Sequence, residues 1–324
     1  MICNYCEIGC KITSVGGGVC DCYREENGIV VEKNKFRWLL QHSIDIESVP
    51  FFHVTPETQY LQMGTTCCNA RCDYCINSHL STKIQPDNIL IEMAPERILR
   101  YLHDNNQKGV IFALNEVTVF LPSAIAVAQL LRPQRYRVGC LTNGYQSESA
   151  AQLLAENMDF INVSLKSMRD EFYREHLRLL SVAPVLRNLR TYAASTHVEI
   201  VTPTADEIMI EELEQMAEYI ASIDPQIPWH LFRLFRSEKY ADKRTRGLSY
   251  EESIAFVERI RTRLPFVYFV NFPGSRWADT VCPDCGHILV HRITIGACGS
   301  RFVSMDIDKS NCCPICSRKI PMIL

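Results

Sequence analysis

The stretch "TTCCNARCDYCINSH", Thr65–His79, decides how this chain is read, because Cys67, Cys68, Cys72 and Cys75 all fall within it. The spacing Cys68-x3-Cys72-x2-Cys75 supplies three thiolates. These can hold three irons of a [4Fe–4S] cluster and leave the fourth iron open, since the usual fourth cysteine is missing from the loop. Loops with gaps of two to four residues also bind zinc, so a zinc knuckle is the competing reading. Cys67 would give a four-residue gap to Cys72. It is the odd member of the group and is expected to be a buried thiol.

The surroundings favour the cluster. Short apolar, β-branched or aromatic runs occur at "TQYLQMGT" (58–65), "GVIFAL" (109–114), "YRVGCLTN" (136–143), "DFINVSLK" (159–166), "HVEIVTP" (197–203), "IPWHLFRL" (227–234) and "FVYFVNF" (266–272). Between them lie helical patterns such as "PERILRYLHDNN", "AIAVAQLLR" and "EESIAFVERIRTRL". Alternating strands and helices predict a parallel α/β sheet or barrel with right-handed crossovers, whose chemistry gathers at the carboxyl ends of the strands. The cysteine loop follows the first of those strands, and an isolated zinc knuckle needs no such body.

Composition narrows the rest. The 324 residues carry a net charge of −3, which gives no pull toward nucleic acid or an anionic membrane. No apolar stretch reaches the roughly 20 residues needed to span a bilayer, and "MICNYCEIGC" lacks a basic segment followed by an apolar run. A cytoplasmic location is expected. In that reducing setting the 16 cysteines are better read as metal ligands than as structural disulfides.

The loop Cys68-x3-Cys72-x-Tyr74-Cys75, with an aromatic residue before its last cysteine, resembles the signature of the radical S-adenosylmethionine (SAM) superfamily. The resemblance implies a [4Fe–4S] cluster whose open iron chelates SAM. Reduction then yields methionine and a 5′-deoxyadenosyl radical that removes hydrogen from a substrate. It further implies that Tyr74, Asn115 and Glu116 in "ALNEVT", Thr142 and Asn143 in "LTNG", and Ser164 and Lys166 in "NVSLK" lie at the SAM site. His230 and Arg233 in "WHLFRLF" are the candidate catalytic residues. Plainer readings stand beside these: Glu116 as a helix-starting acid, Asn143-Gly144 as a turn pair, and His230 as a core histidine.

Blocks from "VPFFHVTPETQYLQMGTTCCNARCDYCIN" to "VYFVNFPG" resemble, in order, enzymes similar to pyruvate formate-lyase activating enzyme, most of all the radical SAM member of the AmmeMemoRadiSam system. The implied fold is a partial (β/α)6 TIM-like barrel over 36–278. Val117 and Ser164 depart from the residues usual in that branch, and the loop "TPTADEIMIEE" is short.

Two cysteine lobes flank the body. At 279–324, Cys282-x2-Cys285 and Cys313-x2-Cys316 predict a zinc-ribbon or rubredoxin-like site of four cysteines for zinc or a single iron, with Cys298 and Cys312 as spare thiols. At 1–35, Cys3, Cys6, Cys10 and Cys20, with Cys22 close by, supply ligands for a second metal or iron–sulfur centre. The basic stretch "RLFRSEKYADKRTRG" (233–247) is either a solvated loop or a contact for an anionic substrate.

The expected function is radical SAM chemistry with a flavodoxin- or ferredoxin-like electron donor and an unidentified small-molecule, peptide or protein substrate. Glycyl-radical activation, aminocarboxypropyl transfer from SAM and a non-catalytic zinc scaffold are the alternatives.

Overall fold

The structure, a computed structural model, describes residues 1–81, 89–204, 210–233, 249–271, 276–294 and 299–324, apart from the side chains of residues 40–42, Arg233 and Tyr250. Cys298, most of the basic stretch 233–247 and the middle of "TPTADEIMIEE" lie outside the described residues. The chain divides into two units. The first comprises Met1–Ser43, Tyr60–Ser164 and Arg169–His197; the second comprises Ile44–Gln59, Leu165–Met168 and Val198–Leu324.

The first unit opens with a small lobe and the hairpin β1 (Tyr23–Glu26) and β2 (Ile29–Glu32), turned at Asn27-Gly28, where both residues have positive φ. Strands β3 (Arg37–Asp45), β4 (Gln59–Gly64), β5 (Ile91–Glu92), β6 (Gly109–Phe112), β7 (Arg137–Thr142) and β8 (Phe160–Ser164) follow, in the spatial order β8-β7-β6-β4-β3-β5. Pairing is parallel from β4 through β8, with Leu61 opposite Val110, Ile111 opposite Gly139 and Cys140 opposite Ile161. β5 pairs antiparallel with β3. These strands read as nearly continuous apolar runs because helices cover them.

The helices are α1 (Ser78–Ser81), α2 (Pro95–Asp104), α3 (Leu121–Leu131), α4 (Glu148–Asn157), α5 (Asp170–Phe172) and α6 (Ala183–Ala193). α2 starts at a proline, whose missing N–H is no loss in a first turn, and buries Pro95, Ile98 and Leu102. Ser147 caps α4 by accepting from the Ala150 N–H. Trp38 is fully buried, stacked on Phe112 and edge-on to Phe120, and donates its indole N–H to the Met93 carbonyl at 3.0 Å.

The second unit contains β9 (His197–Thr204), β10 (Trp229–Arg233) and β11 (Val267–Phe269), parallel in the order β11-β10-β9. Helices α7 (Ile210–Ala221) and α8 (Tyr250–Ile260) belong with them, and Ser249 and Glu252 close a capping box on α8. An antiparallel ribbon of β12 (Thr280–Val281), β13 (Ile288–Thr294) and β14 (Ser300–Met305) ends the unit. The seven strands expected of the α/β body are all present, giving a mixed α/β fold with parallel strands. Among the described residues no helix is long and apolar enough to cross a membrane.

Candidate active site and metal centres

The cysteine loop begins where β4 ends. Gly64 permits this: a Cβ there would lie 2.2 Å from the Ala113 carbonyl oxygen, so β4 and the end of β6 approach as only glycine allows. The loop is then clamped from three sides. Asn115, just past β6, accepts the Thr65 N–H at 3.0 Å and donates to the carbonyls of Thr66 at 3.2 Å and Cys67 at 2.8 Å. Arg71 donates to the Cys68 carbonyl at 2.6 Å and the Ala70 carbonyl at 3.0 Å, and also to Val19 of the N-terminal lobe.

The third clamp is the π-helical turn Tyr173–Leu177. The Arg71 and Asp73 N–H groups donate to the Leu177 and His176 carbonyls at 2.8 and 3.1 Å, and His176 Nδ1 lies 3.1 Å from Asp73 Oδ2. Tyr74 is buried with its ring near Phe172.

The three signature thiols suit a cluster. Burial pushes the Cys68 thiol well above its ordinary range, and Glu116, Cys72 and Cys75 add to the rise through their charges. Bound metal reverses that balance by holding the thiolates deprotonated. The Cys68 sulfur accepts from the Ala70 N–H at 3.4 Å, and Cys75 Sγ lies 3.4 Å from Ser81 Oγ. Among the described residues the signature thiols do not converge to single-ion distances.

Glu116 sits at the end of β6 and is 3 % exposed. Its Oε1 accepts from the Thr118 N–H at 3.1 Å, the Thr118 hydroxyl at 2.7 Å, the Thr142 hydroxyl at 2.8 Å and Gln146 Nε2 at 2.8 Å; its Oε2 accepts from the Asn143 N–H at 2.7 Å. Burial raises its pKa and these bonds oppose the rise. Glu116 thus caps the short 3-10 turn Val117–Phe120 and ties the ends of β6 and β7 together. Asn143 donates from Nδ2 to Asn69 Oδ1 at 2.7 Å, linking β7 to the cysteine loop. Gly144, at φ +75°, completes the turn.

Gln146 was not singled out by sequence reasoning, yet it is fully buried. It donates to Glu116, Thr118 and Thr142 and accepts from the Tyr192 hydroxyl at 2.8 Å. Asn69 and His176 were missed as well. The signal available for Gln146 was its place two residues after the Asn143-Gly144 turn.

The N-terminal lobe packs Cys3, Cys10, Cys20 and Cys22 around Ile12 and Tyr23. Burial raises Cys6 to about 12, helped by the charges of Cys3, Cys20 and Cys10. The lobe docks on the same polar cluster, for the Tyr23 hydroxyl donates to the Thr118 carbonyl at 2.6 Å and Cys6 bridges to Gln146.

In the second unit, Lys166 is half-buried beside Ser167, which donates to Glu212 together with the Met168 N–H. His230 is fully buried: its Nε2 donates to Glu199 at 2.5 Å and its ring stacks on Tyr268. Glu199 also accepts from the N–H groups of Phe52 and His53, both at 2.9 Å. His53 Nδ1 faces the Pro321 carbonyl at 3.0 Å and therefore donates, leaving Nε2 to accept from the Tyr268 hydroxyl at 2.6 Å. The Arg233 side chain lies outside the described residues.

The C-terminal knuckles converge. The ligand atoms of Cys282, Cys285, Cys313 and Cys316 all lie within 4.8 Å of one another, with Cys282–Cys316 at 3.4 Å and Cys285–Cys313 at 3.6 Å. A tetrahedral ion with bonds of about 2.3 Å separates its sulfurs by roughly 3.8 Å, so the set fits one zinc or iron. Each knuckle turns through a positive φ, at Gly286 and Ser317. The Gly286 and Ser317 N–H groups donate to the Cys282 and Cys313 carbonyls. Cys312 stays outside the set, its sulfur near the Ser310 carbonyl.

Comparison with known proteins decides the class: residues 63–220 match the radical SAM superfamily. Residues 63–220 are a radical SAM domain. An uncharacterized protein of Methanocaldococcus jannaschii is 25% identical over 339 residues, covering 99% of this chain and 95% of that one. Among solved structures, the SAM-bound SuiB of Streptococcus suis superimposes with a TM-score of 0.50 at 12% identity, over 64% of this chain but only 48% of SuiB. A domain of pyruvate-formate lyase-activating enzyme from Bacteroides vulgatus gives 0.40 at 19% identity, over 50% of this chain and 98% of that domain. The SuiB superposition shows a shared fold. The radical SAM match itself spans the cysteine loop, Asn115, Glu116, Asn143 and Lys166.

Proposed function

We propose that the enzyme cleaves SAM reductively at a [4Fe–4S] cluster held by Cys68, Cys72 and Cys75, and abstracts hydrogen from a small-molecule, peptide or protein substrate. The observation that carries this is the clamped cysteine loop at the end of β4, inside the segment that matches the superfamily. When bound, the reduced cluster supplies the electron that splits SAM into methionine and a 5′-deoxyadenosyl radical. Asn115 and Arg71 fix the backbone of the loop that carries the three thiolates. Glu116, Thr142 and Asn143 hold the neighbouring strand ends in register. Ser164 and Lys166 are assigned to SAM, Lys166 through a point-charge contact with its carboxylate; His230 and Arg233 are assigned to catalysis.

Further assignments belong to the same reading. A flavodoxin- or ferredoxin-like protein donates the electron. The C-terminal four-cysteine site holds zinc in a structural role, because four thiolates leave no open position. Cys3, Cys6, Cys10 and Cys20 hold a second thiolate-bound centre. A cytoplasmic location belongs to the same reading.

The test is product analysis after anaerobic reconstitution and dithionite reduction, comparing the wild type with a Cys68→Ala/Cys72→Ala/Cys75→Ala variant. 5′-Deoxyadenosine from the wild type alone is the expected result. Methylthioadenosine in its place would assign aminocarboxypropyl transfer and sink the hydrogen-abstraction reading.

A further inference from the structure

Asn69, between Cys68 and Ala70, is 1 % exposed, yet among the described residues nothing accepts from its Nδ2. The orientation of its amide is fixed by its neighbours. The Tyr145 N–H donates to Asn143 Oδ1 at 3.0 Å, so Asn143 presents Nδ2 to Asn69, and the atom that accepts it at 2.7 Å is Asn69 Oδ1. Asn143 is held in turn, its own N–H donating to Glu116 Oε2 at 2.7 Å. Asn69 is left with a bonded oxygen and a buried NH₂ group, and a buried donor without an acceptor is costly.

Sulfur lies beside this amide. Cys68 Sγ is 3.7 Å from Asn69 Oδ1 and accepts from the Ala70 N–H at 3.4 Å. Iron at Cys68 displaces the thiol proton, so sulfur and Oδ1 then have no hydrogen to share, while the Ala70 N–H and Asn69 Nδ2 remain donors. A [4Fe–4S] cluster fits this donor set, because its sulfurs are electron-rich acceptors whose hydrogen bonds tune its reduction potential.

We propose, on the reading that Cys68, Cys72 and Cys75 hold a [4Fe–4S] cluster, that Asn69 Nδ2 donates a hydrogen bond to a cluster sulfur and raises the reduction potential. One electron from the flavodoxin- or ferredoxin-like donor takes the cluster from its 2+ to its 1+ state; Asn69 keeps both amide hydrogens and no proton moves. The added electron makes the sulfurs more negative, so the Asn69 bond is stronger after reduction than before it. Asn143, at the end of β7, aims the donor by holding the opposite end of the amide.

The experiment reconstitutes wild type, Asn69→Ala and Asn143→Ala anaerobically, measures iron and sulfide, and follows the EPR signal of the reduced cluster through a potentiometric titration without SAM. Asn69→Ala should be reduced with an equilibrium constant about tenfold smaller, a fall of about 59 mV for one electron. Asn143→Ala breaks the bridge but keeps Asn69 Nδ2, and its potential should fall by less than half as much. Three results overturn the proposal: equal potentials in wild type and Asn69→Ala, equal falls in both variants, which would assign the effect to the broken bridge, or a fall seen only with SAM bound, which would make SAM the acceptor. Pulsed EPR of the reduced wild type, labelled with nitrogen-15 in its asparagine amides, needs no variant to fold. It should show coupling from a side-chain amide nitrogen, and its absence would also overturn the proposal. A wild type that loads no iron and sulfide fails at the cluster reading itself, whereas loaded proteins with equal potentials fail only at Asn69.

Discussion

Asn115 and Cys67 are joined by a 2.8 Å hydrogen bond from the asparagine amide to the cysteine carbonyl, and the same side chain holds Thr65 and Thr66. One residue at the end of β6 thereby sets the path of the cluster loop that leaves β4. Asn115→Ala removes three bonds of about 1 kcal/mol each. It should destabilise the protein by roughly 1–3 kcal/mol in urea unfolding and lower the iron retained after gel filtration. Unchanged iron retention would show that the loop holds its shape without this clamp.

Glu116→Ala strips the acceptor from five donors in a buried cluster. Leaving buried donors unsatisfied costs about 1–3 kcal/mol apiece before relaxation, so a loss of at least about 3 kcal/mol is expected, with Glu116→Gln in between. If Glu116→Ala kept full stability and lost only SAM affinity, the carboxylate's role would be ligand contact and not the joining of strand ends.

Glu32 accepts from both the N–H and the hydroxyl of Ser123 at the start of α3, and burial raises its pKa from the ordinary 4.5 to about 7. The folded state therefore binds the proton more tightly than the unfolded state. The stability due to Glu32 is fully present below pH 4.5 and is lost as pH rises to about 7. Measured against Glu32→Gln, wild-type stability should decline across this window and level off above it. The slope should stay below about 1.4 kcal/mol per pH unit, because the side chain is partly solvated. A flat difference would mean that Glu32 ionises freely in the fold.

The C-terminal ribbon should carry one metal ion per chain, lost in Cys285→Ser or Cys316→Ser and retained in Cys312→Ser. Loss of the ion should lower the thermal midpoint, since metal binding contributes directly to folding of such sites. Elemental analysis beside a melting curve checks both; metal loss from Cys312→Ser would redraw the ligand set.

Gly64→Ala places a methyl group 2.2 Å from the Ala113 carbonyl oxygen. Backbone has to move, and a loss of about 1–3 kcal/mol or more is expected in equilibrium unfolding. A neutral effect would mean that β4 and β6 can part without consequence.

Local chain geometry explains what was legible in the sequence. Residues within one loop or one strand are placed by their spacing, so "TTCCNARCDYCINSH" marked the candidate cysteine loop, the paired Cys-x2-Cys motifs disclosed the C-terminal site, and the apolar runs disclosed the parallel strands. Partnerships between distant residues were not legible. Glu116 meets Gln146, Asp73 meets His176 and His230 meets Glu199 only because crossover connections bring separate segments to the same strand ends or the same core. The sequence by itself determined which residue types were available and where the chain turns. The tertiary structure decided that Asn115 bonds the cysteine loop, that Glu116 bonds residues at the end of β7, and that His230 is buried against a carboxylate. Hydrogen-bond partners of buried polar groups are chosen by proximity in space, which the order of residues along a chain does not encode locally.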